Sequence, residues 1–224
     1  MRRRPQPFPY QGSKRLLADR ILALCGPGAR FERLIEPFAG SAAIAVAALD
    51  SGIVSGVVIN DALVPLAELW SRIIDEPTRI GDEYEVTWRE QFDEGAHFER
   101  IRARFNAERS PADLLYVLAR CVKAALRFNG EGEFNQSADR RRNGMKPERF
   151  RLEASAAARL LRGRSAVMTG DFRSALDLAT PRDLVYLDPP YAGVSGRDRR
   201  YHAQIDRTAI VEAIERLNDA RIPF

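Results

Sequence analysis

Residues 31–61 constrain the fold more than any other stretch. An apolar run within Phe31 to Phe38, centred on Leu34-Ile35, is followed by Gly40 and then by the small-residue segment Ala42 to Leu49. A β-branched run, Val54 to Ile59, comes next and ends at Asn60-Asp61. Strand, glycine turn, helix, strand is a βαβ unit, whose strands should be parallel and whose crossover should be right-handed. The pattern returns near the end of the chain. Ala166 to Thr169 reads as a brief strand stopping at Gly170-Asp171-Phe172, and Leu184 to Leu187 as a short buried strand. Thr208 to Leu217 has the apolar spacing of a helix, with Ile210, Val211, Ile214 and Leu217 on one stripe. The fold class is therefore α/β.

Between the two α/β parts, from Ala62 to Arg151, helical periodicity dominates. Leu63 to Ile74, Phe98 to Asn106 and Pro111 to Phe128 each read as helices, the last through Leu114, Leu115, Leu118, Cys121, Val122 and Leu126. Asn129 to Met145 is polar, glycine- and arginine-rich and without periodicity, so it reads as a long loop. Glu153 to Leu161 reads as a further helix. The expected organisation is one α/β domain made of residues 1–61 and 152–224, interrupted by a mostly helical insertion over 62–151. Upstream, Tyr10 to Lys14 is a turn, with Ser13 placed to cap an amphipathic helix Lys14 to Leu24 that shows Leu16, Leu17, Ile21 and Leu24 on one stripe.

No run approaches the roughly 18 apolar residues that cross a bilayer, and the basic start has no apolar stretch after it, so no membrane span or signal peptide is read. Cys25 and Cys121 are the only cysteines, each in apolar surroundings. They read as reduced core residues, which fits a cytoplasmic location. Only His97 and His202 represent histidine, so no metal-ligand cluster is visible. The net charge of +4 is compatible with nucleic acid and weak by itself.

Leu184 to Leu187 runs into Asp188-Pro189-Pro190-Tyr191. Two prolines cannot continue a ladder. The strand stops in a stiff corner that presents a carboxylate, the Pro189 carbonyl and an aromatic ring at the sheet edge where α/β proteins bind ligands. Such a corner suits chemistry on an exocyclic amine. Its two N–H groups would donate to the Asp188 carboxylate and the Pro189 carbonyl, localising a lone pair otherwise spread into the ring. Tyr191 would stack on a base turned out of the helix. The turn Glu36-Pro37-Phe38-Ala39-Gly40-Ser41-Ala42 lacks the full G-x-G-x-x-G pattern, which disfavours a pyrophosphate. About 20 residues further on, Asp61 stands where an acid holds ribose hydroxyls. A nucleoside fits these two features, and so does an ordinary tight turn with an Asp cap. Asp171 is placed to accept from an adenine amine and Phe172 to stack on its ring; in isolation, Gly170-Asp171-Phe172 reads first as a strand-end turn. Lys14 either reaches the carboxylate of a bound ligand or begins a solvated helix. Arg140-Arg141-Arg142, with Lys146, Arg149 and Arg151, is either a phosphate-neutralising stretch or a solvated loop. The amides Asn129, Asn135 and Gln136 suit base edges, and amides are also common in loops.

Taken together, Tyr10-Gln11-Gly12-Ser13-Lys14, Glu36 to Ser41, Asn60-Asp61, Arg127-Phe128-Asn129 with Gly132-Glu133-Phe134-Asn135, Asp188 to Tyr191, and Tyr201-His202 resemble the motifs of the DNA adenine N6-methyltransferases, in that family's order. Each is weak alone; six in order are specific, and they span nearly the whole chain. The resemblance implies a Rossmann-like methyltransferase sheet, S-adenosylmethionine as cofactor and double-stranded DNA as substrate. It implies Tyr10, Lys14, Phe38, Gly40, Asp61 and Asp171 as cofactor contacts, beside Phe172, and the corner Asp188, Pro189, Pro190 and Tyr191 as catalytic. It makes the insertion a target-recognition region, with Asn129, Asn135, Arg140, Arg141, Arg142 and Lys146 facing DNA. Where that family continues V-P-F-G, this chain has Gln136-Ser137-Ala138-Asp139 and the arginines. The family also has further strands beyond the position of Phe224, so the C-terminal strands of the sheet are expected from more chain, either a continuation or a separate segment. Two other functions share these residues: N4-cytosine methylation, because the corner serves any exocyclic amine, and DNA binding without turnover.

Overall fold

The computed structural model describes residues 3–93, 95–190 and 207–224. Four parallel strands form one sheet in the order β3-β2-β1-β4: β1 is Phe31–Glu36, β2 Val54–Asp61, β3 Ser165–Thr169 and β4 Leu184–Val185. The registers are Ile35 beside Val58, Val58 beside Ala166 and Ile35 beside Val185. The helix α2, Ala43–Ser51, makes the crossover from β1 to β2.

Strand alternation divides the sheet's two faces. Leu34, Val57, Ile59 and Leu184 enter one core, while their neighbours Ile35, Val58 and Val185 enter the other. The second core is closed by α8, Phe172–Leu176, and α9, Arg207–Asp219, through Phe172, Ala175, Ala213 and Leu217. The first core is much larger. It takes in α2, α3 (Val64–Asp75), α5 (His97–Glu108), α6 (Pro111–Arg120) and α7 (Pro147–Leu161), together with Ile80 and Tyr84 of α4 (Pro77–Glu90). The helical region over 62–151 thus shares its apolar interior with the sheet. Its expected boundary at residue 151 falls inside α7, which is continuous from Pro147, a position where proline's missing N–H costs nothing.

Three expected elements differ. The helix Lys14 to Leu24 shrinks to α1, Ala18–Ala23, and the leucines of its expected stripe face water, Leu16 94% and Leu24 86% exposed, while Ile21 packs against the core. Tertiary bonds hold the preceding residues out of the helix: the Ser41 hydroxyl donates to the Ser13 hydroxyl at 2.9 Å, and the Lys14 ammonium reaches Asp188. Helix α6 stops at Arg120 rather than Phe128, because Cys121 is already extended at ψ 162°; Lys123 and Ala124 then take left-handed φ of 61° and 49°. Residues 121–138 then fold back on themselves, with antiparallel bridges from Cys121 to Ala138 and from Phe128 to Phe134. The expected loop is in large part this hairpin. Asn106 secures it, accepting from the Phe134 N–H at 2.8 Å and donating to the Phe134 carbonyl at 3.1 Å.

Both cysteines are free thiols, Cys121 buried and Cys25 only partly so. Ile222 packs in the second core, and the Val185 N–H donates to the Pro223 carbonyl at 2.9 Å along the outer edge of β4, where the next strand was expected. Among the described residues no helix is long and apolar enough to cross a membrane, and no cluster of His, Cys, Asp and Glu is arranged to hold a metal.

Candidate active site

The carboxyl ends of all four strands open on one cavity of about 490 Å³. Every sequence-predicted cofactor residue lines it: Tyr10, Lys14, Phe38, Gly40, Asp61, Asp171 and Phe172. Asp188, Pro189 and Pro190 line it as well. Tyr191, Tyr201 and His202 lie outside the described residues.

At the end of β1 the chain turns through Gly40 at φ +49°. A Cβ there would stand 2.8 Å from the Tyr10 ring, so the missing side chain admits Tyr10 rather than a ligand. The Gly40 N–H donates to Asp61 Oδ2 at 2.9 Å, and its carbonyl accepts from the Trp70 indole N–H at 3.0 Å. Asp61 Oδ1 accepts from the Leu63 N–H at 2.9 Å, so one carboxylate ties the glycine turn to the start of α3. Burial raises its pKa, opposed by those two N–H donors. Asn60, fully buried, donates to the Pro37 carbonyl at 2.9 Å and to the Gly170 carbonyl at 3.2 Å, locking the ends of β1 and β3 together.

Glu36 is the residue whose role the sequence pattern did not single out. It is buried at the strand end, lines the cavity and accepts from the N–H groups of Ala45 at 2.9 Å and of Ile44. The amide groups at the start of α2, which an anion would otherwise take, are occupied by the chain's own carboxyl. Burial pushes that carboxyl up to about 8, with the two backbone donors pulling the other way and the nearby Asp188 and Asp61 adding to the rise.

At the end of β3, Asp171 caps α8. It accepts from the Arg173 N–H at 2.8 Å and from the Arg173 guanidinium through Nε at 2.9 Å and Nη2 at 2.8 Å. Arg173 holds the Asp171 carboxyl below its ordinary value, against the opposing effect of burial. The Phe38 and Phe172 rings lie 5.1 Å apart and form an aromatic wall. Residues 10–14 of the N-terminal segment line the cavity. Phe8 is buried against Trp70, the Gln11 N–H donates to the Ala124 carbonyl at 2.9 Å, and Lys14 Nζ donates to the Gly12 carbonyl and to Asp188 Oδ2.

None of the six residues predicted to face DNA lines the cavity. Asn129 shapes the hairpin tip, its Oδ1 accepting from the N–H groups of Glu131 and Glu133 and its amide donating to Glu133 Oε2. Arg141 and Arg142 both pair with Asp139, and Arg141 is the main cause that holds that carboxyl down at about 2. Arg140, Asn135 and Lys146 are exposed. The hairpin meets the cavity instead through Leu126 and Phe128. Helical spacing concealed Leu126, because it completed a false stripe with Val122.

Residues 10–213, which include every described residue of this cavity, match the D12 class N6 adenine-specific DNA methyltransferases. The chain belongs to that family. Individual relatives are distant. This D12-class chain is 25% identical over 215 residues to the DNA N-6-adenine-methyltransferase of Escherichia phage P1, an alignment covering 88% of this chain and 26% of that protein. It is 27% identical to the type II methyltransferase M1.LlaDCHI of Lactococcus lactis subsp. cremoris, covering 83% of this chain and 65% of the relative. With the DNA adenine methylase of Serratia marcescens it shares 26% identity, covering 83% and 66%. The chain therefore spans about a quarter of the first relative and just under two thirds of the other two.

Proposed function

We propose that this chain transfers a methyl group from S-adenosylmethionine to N6 of an adenine turned out of double-stranded DNA. The observation that carries the proposal is the opening of Asp188-Pro189-Pro190 onto the same cavity as Gly40, Asp61 and the Asp171-Phe172 pair. The cavity suits a nucleoside that bears positive charge and no phosphate. The start of α2 is already capped by Glu36, which burial keeps protonated, and the carboxyls of Asp61, Asp171 and Asp188 outnumber the cations of Lys14 and Arg173. Phe38 and Phe172 offer flat apolar surface to a ring. When bound, S-adenosylmethionine supplies an electrophilic methyl group.

The chain's own residues do the rest. The Asp188 carboxylate and the Pro189 carbonyl accept the two N–H bonds of the adenine amine, drawing its nitrogen toward tetrahedral geometry and concentrating the lone pair. Lys14, bound to Asp188 Oδ2 and anchored on the Gly12 carbonyl, fixes the carboxylate's orientation. The prolines keep the corner rigid and so hold the amine nitrogen in position. The insertion over 62–151 serves target recognition, with Arg140, Arg141, Arg142 and Lys146 facing phosphates and Asn135 facing bases. Asn129 acts through the shape of the hairpin tip.

Incubation with duplex DNA and methyl-labelled S-adenosylmethionine, followed by nucleoside analysis, tests the proposal. Labelled N6-methyladenine is expected, and Asp188→Ala should abolish it while cofactor binding stays measurable. Labelled N4-methylcytosine, no labelled product, or full activity of Asp188→Ala would each overturn it.

A further inference from the structure

Arg173 makes within its own chain both contacts that the cavity offers a nucleobase. Its Nε and Nη2 donate side by side to the two oxygens of Asp171, at 2.9 and 2.8 Å. Its guanidinium carbon lies over the face of the Phe172 ring, 5.8 Å from the centroid. A guanidinium is flat, forks two N–H bonds onto a carboxylate and stacks on aromatic faces. Adenine shares the stacking face and can donate one amino N–H to the same carboxylate, so the two groups claim the same place. All three residues line the cavity, while roughly half of the Arg173 side chain faces solvent.

We infer that Arg173 is an internal competitor for the base subsite formed by Asp171 and Phe172, and that it sets cofactor affinity because it must leave before an adenine ring enters. This rests on the reading of the cavity as a nucleoside site. The pair is exposed and local, so little is lost when it opens: an ion pair of this kind changes an equilibrium by about two- to fivefold. It is also screened by salt, whereas the burial of an uncharged ring is not.

Calorimetric titration of the full chain with adenosine and with S-adenosylhomocysteine, at low and high ionic strength, tests the inference. Arg173→Ala should bind adenosine about two- to fivefold tighter than wild type at low salt, with the gap closing at high salt. Arg173→Lys keeps the charge but not the planar fork, and should fall between them. In an Asp171→Asn background, Arg173→Ala should no longer tighten binding. Weaker binding by Arg173→Ala at both salts would mean that the guanidinium covers the bound ring instead, and overturns the inference. Equal binding overturns it as well, while leaving the nucleoside reading intact. If no form binds either ligand, the nucleoside reading fails and this inference with it.

Discussion

At Gly40 the backbone sits at φ +49° and the Tyr10 ring lies 2.8 Å from where a Cβ would be. Gly40→Ala therefore meets two penalties, the left-handed backbone and the ring. We expect a loss of about 1–3 kcal/mol in denaturant unfolding. Adding Tyr10→Leu should recover the part due to the ring and leave the part due to φ; no recovery would show that Tyr10 does not set the cost. The glycine itself was legible in the sequence, because a strand-to-helix turn asks for one. What it accommodates was not, since the ring arrives from a segment with no fixed spacing to it. Asp61 shows the same limit. Its place at the end of β2 was readable, but not that both its oxygens hold backbone N–H groups of Gly40 and Leu63. Glu36 stood in plain view at a strand end, yet the turning of its carboxyl back onto α2 is a matter of tertiary geometry.

Helices and strands with strong apolar runs were readable within a few residues: β1, β2, β3, α3, α5 and α9 fall where periodicity put them. Two of the failures share one cause, an apolar spacing satisfied by something other than a helix. Val122 and Leu126 continue the stripe of α6 in sequence, but two left-handed residues redirect the chain into the hairpin. Leu16 and Leu24 have helical spacing but lie exposed, because the buried face of α1 is made by Ala18 and Leu22 instead. Helix α4 went unread because its surface is dense with charge, Arg72 with Glu83 and Arg151 with Glu85 among the pairs. The arginine stretch that follows the hairpin also changes its meaning. Arg141 and Arg142 share Asp139, so each has less charge to give to a phosphate than Arg140 has. Salt-dependent DNA binding should register this. Arg140→Gln should reduce the slope of log K against log salt by about 0.9, and Arg141→Gln or Arg142→Gln by clearly less. Equal reductions at all three positions would mean that Asp139 releases both arginines when DNA binds.

Glu36 links the stability of the fold to pH. Its carboxyl, pushed up to about 8, keeps a proton in the folded chain over a range where the unfolded chain, at the ordinary 4.5, has lost it. The folded state then binds more protons than the unfolded one, so stability falls as pH rises between those two values and levels off above them. The melting temperature should decline from about pH 5 to about pH 8, and Glu36→Gln should flatten the decline. An equally steep decline in the variant would place the linkage elsewhere. The same residue marks where prediction from sequence stops. Order along the chain and the periods of two and 3.6 residues were enough to establish a parallel α/β sheet, its interruption by helices, and the strand ends that bear Gly40, Asp61, Asp171 and Asp188. Those are local properties, set by backbone geometry and side-chain alternation. Only the packed chain decided that these four ends surround one cavity, that the helical region shares the sheet's core, and that Glu36, Lys14 and Arg173 occupy positions a ligand was expected to take. Each of those depends on contacts between segments far apart in sequence or on side-chain direction, and no spacing rule encodes either.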